Sequence, residues 1–166
     1  MTISLHKLAV GTFTRMLTNL LHILETAEAN ATERKIGPDV LGAARLAPDM
    51  LPLAFQIQSA ADRPKLALAR ITGREAPKWE DGEKTIEELR ARVQKALDLL
   101  ATYAPADLDG LEDKLVTFKQ GGADVQMTAE DYLRDNVFPN FYFHVTTAYA
   151  ILRHNGVPVG KRDFVG

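Results

Sequence analysis

Between Thr128 and Gly156 the chain reads TAEDYLRDNVFPNFYFHVTTAYAILRHNG. Leu133, Val137, Phe141, Ala148 and Ile151 recur there in steps of three, four and seven, the spacing of one helical face. Thr128, with Asp131 three residues on, supplies a helix start, and Gly156 supplies a stop. His144 falls on the apolar face, and Asn140 sits one turn before it. Pro139 has no amide hydrogen and crowds the carbonyl four residues back, which predicts a bend near Asp135–Val137. A buried imidazole needs a hydrogen-bond partner, so some partner must stand beside it.

Three more long helices are predicted. The first runs from about Ser4 to Glu28, with Leu5, Leu8, Phe13, Leu17, Leu20 and Leu24 on its stripe. The connector NATERKIGP leads to a short helix from Pro38 to about Ala44. Pro48 can open the second long helix, which runs to Thr72, bends at Pro52 and Pro64, and ends at Gly73. The third long helix begins at a Thr85-x-x-Glu88 capping box and reaches about Tyr103. LVTF and VQMT, separated by KQGGAD, read as a two-stranded hairpin whose Gly121-Gly122 permits a tight reversal. Trp79 is expected as a lid over one end of the helices. The tail VPVGKRDFVG reads as too short for another element, with Phe164 tying it down. The expected fold is all-α: an up-and-down four-helix bundle with a small β-hairpin inserted before the last helix, a single domain over residues 1–166.

Composition removes several function classes. The chain has no cysteine, so disulfides, thiolate zinc sites and cysteine nucleophiles are excluded. A formal net charge of −2 with scattered Lys and Arg gives no stripe for nucleic acid. MTISLHKLAVGTF shows neither a charged leader nor a long apolar run, and no stretch approaches the ~18 apolar residues of a membrane span. The expectation is a soluble cytoplasmic protein that binds neither membrane nor nucleic acid. Ser4 and Ser59 are the only serines, neither in a Gly-x-Ser-x-Gly turn, and no dinucleotide fingerprint is present.

The chemistry concentrates on His144. It is either a core histidine satisfied by a carbonyl, Asn140 or Asp49, or part of a functional polar pocket. His22 reads as solvated, His154 points roughly 80° away from His144, and His6 is uninformative. Arg45 and Asp49 are four residues apart and could pair. Phe138, Phe141, Tyr142, Phe143 and Tyr149 read mainly as packing, with Tyr142 or Tyr149 a candidate to border a cavity. Leu21, Ile23 and Leu99 exceed what one inner stripe needs and suggest apolar surface for self-association.

RLAPDMLPLAFQIQ at 45–58, NFYFHVTTAYAILRHNGVPVGKRDF at 140–164 and the opening LHKLAVGTFTRMLTNLLHIL closely resemble a bacterial and fungal family carried as a domain of unknown function. That family is grouped with the DinB/YfiT-like four-helix bundles, described as metalloenzymes. The resemblance implies a homodimer and a divalent metal, often nickel or zinc, held by one histidine of the second helix and two of the last, four residues apart. It also implies, for some members, thiol-dependent transfer chemistry. His144 matches the second of the two last-helix positions, and Asn140 stands at the first. The second helix has no histidine; Asp49 and Gln56 are its polar groups that could stand in. Two function classes follow: a ligand-binding or structural bundle with a polar pocket at Asn140, His144, Asp49, Gln56 and Tyr142, with no cofactor or a degenerate metal site, or a metal-dependent enzyme using His144 as a ligand.

Overall fold

The computed structural model describes residues 4–166. Most of them are helical. A π turn at Lys7–Gly11 leads into α1 (Thr12–Glu33), followed by the one-turn α2 (Val40–Ala43), α3 (Leu53–Thr72), α4 (Ile86–Leu100) and the short α5 (Pro105–Leu108). An antiparallel hairpin comes next, β1 (Leu115–Gln120) with β2 (Ala123–Thr128). α6 (Ala129–Asp131) then passes through a second π turn, Tyr132–Val137, into α7 (Phe138–His154), and α8 (Lys161–Val165) closes the chain. Four helices are long and four are short, so the expected set of four becomes, among the described residues, four long helices with short helical additions.

The apolar stripes do what their spacing requires. Leu17, Leu20 and Leu24 of α1, Leu53, Ile57 and Leu68 of α3, Leu89 and Val93 of α4, and Phe141 and Ile151 of α7 are all buried. Phe13 meets Phe141 edge-on at 5.1 Å between ring centroids, joining the first long helix to the last. Burying each such side chain contributes about 1.5–3 kcal/mol. α3 packs between α4 and α7, and α1 packs against α4 and α8. Val116 and Phe118 turn the hairpin's inner face onto the helices, and Phe118 stacks obliquely on Tyr132. Gly121 and Gly122, both with positive φ, make its reversal.

Several boundaries differ from expectation. α1 continues to Glu33 because Ala31 extends the buried stripe by one more step. α3 begins at Leu53, not Pro48: Pro52 takes the extended position before the first turn, and residues 44–51 form an irregular loop. Arg45 does not pair with Asp49 but donates to the Met50 carbonyl inside that loop. Pro64 is accommodated without breaking α3. The tail does form a helix, α8, started by Asp163 accepting the Gly160 amide and held by Arg15 and Asn19 on its last carbonyls. Ile23 is fully buried and Leu21 and Leu99 are partly covered, so the surplus apolar surface lies elsewhere.

The Thr85/Glu88 capping box forms as expected, and backbone amides of Lys84 and Thr85 hold the Glu88 carboxyl below the usual range. Trp79 is ringed by cations, with Lys65, Arg92 and Lys95 at 4.4, 5.0 and 5.0 Å from its ring. Arg92 is 3% exposed and gathers the preceding connector: it donates to the Glu80 carbonyl and to carboxylates of Asp62, Asp81 and Glu83 at 2.8–2.9 Å. Asp62 also receives Lys65, at 3.0 Å.

Gly42 lies against the same connector: a Cβ there would stand 1.9 Å from the Lys84 carbonyl oxygen. Gly42→Ala is therefore expected to lower the free energy of unfolding by about 1–3 kcal/mol through overpacking. Urea titration checks this, and an unchanged midpoint would contradict the close approach.

Candidate functional site

Pro139 sets the geometry of α7's first turns. The π turn at Tyr132–Val137 stands where its missing amide and bulky ring disturb the helical ladder, at the place where a bend was expected. Asn136, Asn140, Phe143 and His144, spaced by three and four, then share one face. Opposite them α3 presents Phe55, Gln56 and Arg63.

Gln56 is 3% exposed and His144 8%. His144 Nδ1 lies 2.8 Å from Gln56 Oε1, while Gln56 Nε2 donates to the Leu51 carbonyl at 3.0 Å. The second bond fixes the first. With the amide nitrogen committed to a carbonyl, Oε1 can only accept, so Nδ1 carries the proton and Nε2 keeps its lone pair. Nε2 has no hydrogen-bond partner among the described residues, and with Nδ1 turned to Gln56 it is the nitrogen left for a shallow cleft of about 520 Å³. Desolvation, then the nearby Arg63 charge, pushes the imidazole down to about 4, so it is neutral at physiological pH.

Phe55, Pro139 and the 56% exposed Phe143 give the cleft apolar walls, and Asn136 and Asn140 line it with carboxamides. Arg63 supplies its cation. Burial lowers the pKa of this guanidinium, and among the described residues it makes no ion pair. Its neighbour Asp62 is engaged by Lys65 and Arg92, and Asp135 by Arg134. A second cleft of about 360 Å³, between the end of α1 and the start of α4, contains no imidazole and no half-buried unpaired charge. Convergent polar groups with one strongly shifted titration favour the cleft at His144.

Of the residues singled out in the sequence, His144 and Gln56 are bonded to each other and Asn140 lines the same cleft. The hydrogen-bond partner is thus Gln56, where a carbonyl, Asn140 or Asp49 was expected. Asp49 is exposed in the loop before α3, and Tyr142 is exposed, packed edge-on against Phe141 at 5.7 Å. Tyr149 instead packs on Phe164, at 5.8 Å. His22 and His154 are exposed, and His6 contacts the Tyr103 carbonyl. Arg63 was missed, although it stands seven residues after Gln56, two turns along the same helical face.

The model of a family described as a domain of unknown function, DUF1993, matches residues 5–165. The chain belongs to the DUF1993 family. Among solved structures, this DUF1993 protein is similar to a DinB family member protein from Shewanella denitrificans, with 41% identity, a TM-score of 0.87, and 98% of this chain and 92% of that chain covered. Among curated proteins nothing matches. No helix among the described residues is long and apolar enough to cross a membrane.

A DinB-type metal site can be tested against the donors present. His144 offers one nitrogen, its other being held by Gln56. Asn140 is a poor ligand for nickel or zinc, the Asp135 carboxylate lining the cleft is already paired with Arg134, and the neighbouring Arg63 guanidinium repels a dication. No group of three His, Cys, Asp or Glu side chains converges anywhere among the described residues. The residues of this DUF1993 protein do not fit a three-histidine centre, and no chemical step is assigned to a metal.

The depressed imidazole predicts a pH dependence. Between about pH 6.5 and pH 4 the unfolded chain binds a proton at His144 that the folded chain refuses. Its contribution to stability is therefore complete above 6.5 and declines as pH falls toward 4. Unfolding midpoints measured across that window should fall with pH, and the NMR midpoint of the His144 ring should lie near 4. A ring titrating near 6.5 would contradict the burial and the Gln56 bond.

Proposed function

We propose that this DUF1993 protein is a small-molecule-binding helical protein of DinB type in which a glutamine–histidine pair stands where the wider group holds a metal. In this reading the four long helices form one up-and-down bundle in a single domain. The site is the cleft between α3 and α7, lined by His144 and Asn140, with Gln56 bonded to the imidazole behind it. The observation that carries the reading is the Gln56–His144 bond: it consumes Nδ1, fixes the tautomer and leaves Nε2 as a neutral acceptor on a ring that lines the cleft. A lone pair so placed can receive a hydrogen bond from a ligand, or a proton from one. Phe55 and Phe143 give the ligand's apolar part something to lie against.

The alternative is a divalent-metal-dependent enzyme of DinB type, a thiol-dependent transferase or hydrolase, with His144 as a ligand. Elemental analysis of protein purified without an affinity tag separates the two. The binding-protein reading expects far less than one equivalent of nickel, zinc or manganese, and a melting temperature unmoved by adding them. Stoichiometric metal, lost in His144→Ala, would establish the enzyme instead.

The reading includes a homodimer, in keeping with the family resemblance. Val40, Leu46 and Leu51, exposed around the loop before α3, are its candidate apolar surface. Sedimentation should show twice the 18.3 kDa chain mass at micromolar concentration; a lone monomer would remove the dimer.

A further inference from the structure

We infer that the cleft takes a small hydroxy acid, its carboxylate on Arg63, its hydroxyl donating to Nε2 of His144, and its apolar part between Phe55 and Phe143. The inference rests on the binding-site reading above and adds to it the chemical class of the ligand.

Three requirements set that class. The first is charge. Arg63 is half-buried, and the carboxylates beside it are already taken: Asp62 accepts from Lys65 at 3.0 Å and Arg92 at 2.8 Å, and Asp135, which also lines the cleft, accepts from Arg134 at 2.9 Å. Arg70, which adds to the positive field at Arg63, donates to the Tyr132 hydroxyl. A desolvated guanidinium that makes no ion pair among the described residues, and feels Asp62 through its charge alone, is completed by a ligand anion, and its planar fork suits a carboxylate. Asn136 and Asn140 line the same cleft and offer amide donors to such a group.

The second requirement is a donor. A plain carboxylate is acceptor-only and finds nothing at Nε2, because the Gln56 bond places the ring proton on Nδ1. The ligand must bring its own hydrogen, as a hydroxyl does. The third is an apolar or aromatic part: Phe143 and Phe55, 56% and 38% exposed, border the cleft together with Pro139.

Three probes of one size test these separately: mandelate, phenylacetate without the hydroxyl, and 1-phenylethane-1,2-diol without the carboxylate. Binding is followed by NMR on the wild-type protein through the His144 ring protons and by titration calorimetry. Mandelate is expected to bind about tenfold or more tightly than either analogue, as loss of a charge-assisted or buried hydrogen bond implies. Arg63→Gln, checked for unchanged unfolding, should bring mandelate down to the level of the diol and leave the diol unaffected. Diol binding as tight as mandelate, or an Arg63→Gln variant that binds mandelate normally, would overturn the anion assignment while leaving the cleft a binding site. Phenylacetate equal to mandelate would overturn the donor assignment. If none of the three perturbs His144, the ligand class is wrong, whereas the reading of the cleft against a metalloenzyme is decided by metal content alone.

Discussion

One hydrogen bond organises this molecule's chemistry. An imidazole on the apolar face of the last long helix cannot stay buried without a partner, and Gln56 reaches across from α3 to provide it. The glutamine is in turn anchored by the Leu51 carbonyl, just before the helix begins. Backbone position, amide orientation and ring tautomer are therefore linked in sequence. The irregular loop before α3 thus contributes to the site although none of its side chains enters the cleft.

Around that bond the charges are sorted. Arg92 and Lys65 draw Asp62 toward the connector and Trp79, and Arg134 keeps Asp135 on its own helix. The cleft then holds a desolvated guanidinium beside a neutral ring, with the Asp135 carboxylate at its lining turned to Arg134. The same Arg63 charge helps hold the ring neutral, so the cation and the acceptor are mutually dependent. A divalent ion would face one free nitrogen, carboxamides, a single carboxylate already paired with Arg134, and a positive neighbour. An organic anion meets a complementary surface there.

Much of this was legible in the sequence, for physical reasons that can be named. Apolar spacing located all four long helices because each stripe must be buried, and the Thr85/Glu88 box and the Gly-Gly reversal have strictly local causes. Pro139 marked the place where α7's ladder is disturbed, because its effect reaches back only one turn, but as a bend and not as the π turn that forms. Errors arose where distant contacts decide. Pro48 is as good a helix opener as Pro52 by local rules, yet the chain between them forms a loop. α8 is too short to stand alone and exists because Arg15 and Asn19 of α1 hold its carbonyls. Ile23 exceeds one stripe but not the packing surface of a helix with neighbours on more than one side. At the site, His144 and Asn140 followed from helical spacing, while Gln56 entered only through the family resemblance, as one of two polar groups of the second long helix that could stand in for a histidine. Choosing it over Asp49 required knowing where α3 starts. Arg63 could have been found from its position two turns beyond Gln56, but that it is left unpaired depends on three other salt bridges.

The claim beneath all of this is that His144 is held as the Nδ1–H tautomer with a bare Nε2. Long-range ¹H–¹⁵N correlation of the histidine rings at neutral pH reads it directly. The account predicts a protonated, pyrrole-type Nδ1 and an unprotonated, pyridine-type Nε2 for His144, both collapsing to a tautomer average in Gln56→Leu. A wild-type ring that is already averaged, or that carries its proton on Nε2, would contradict it.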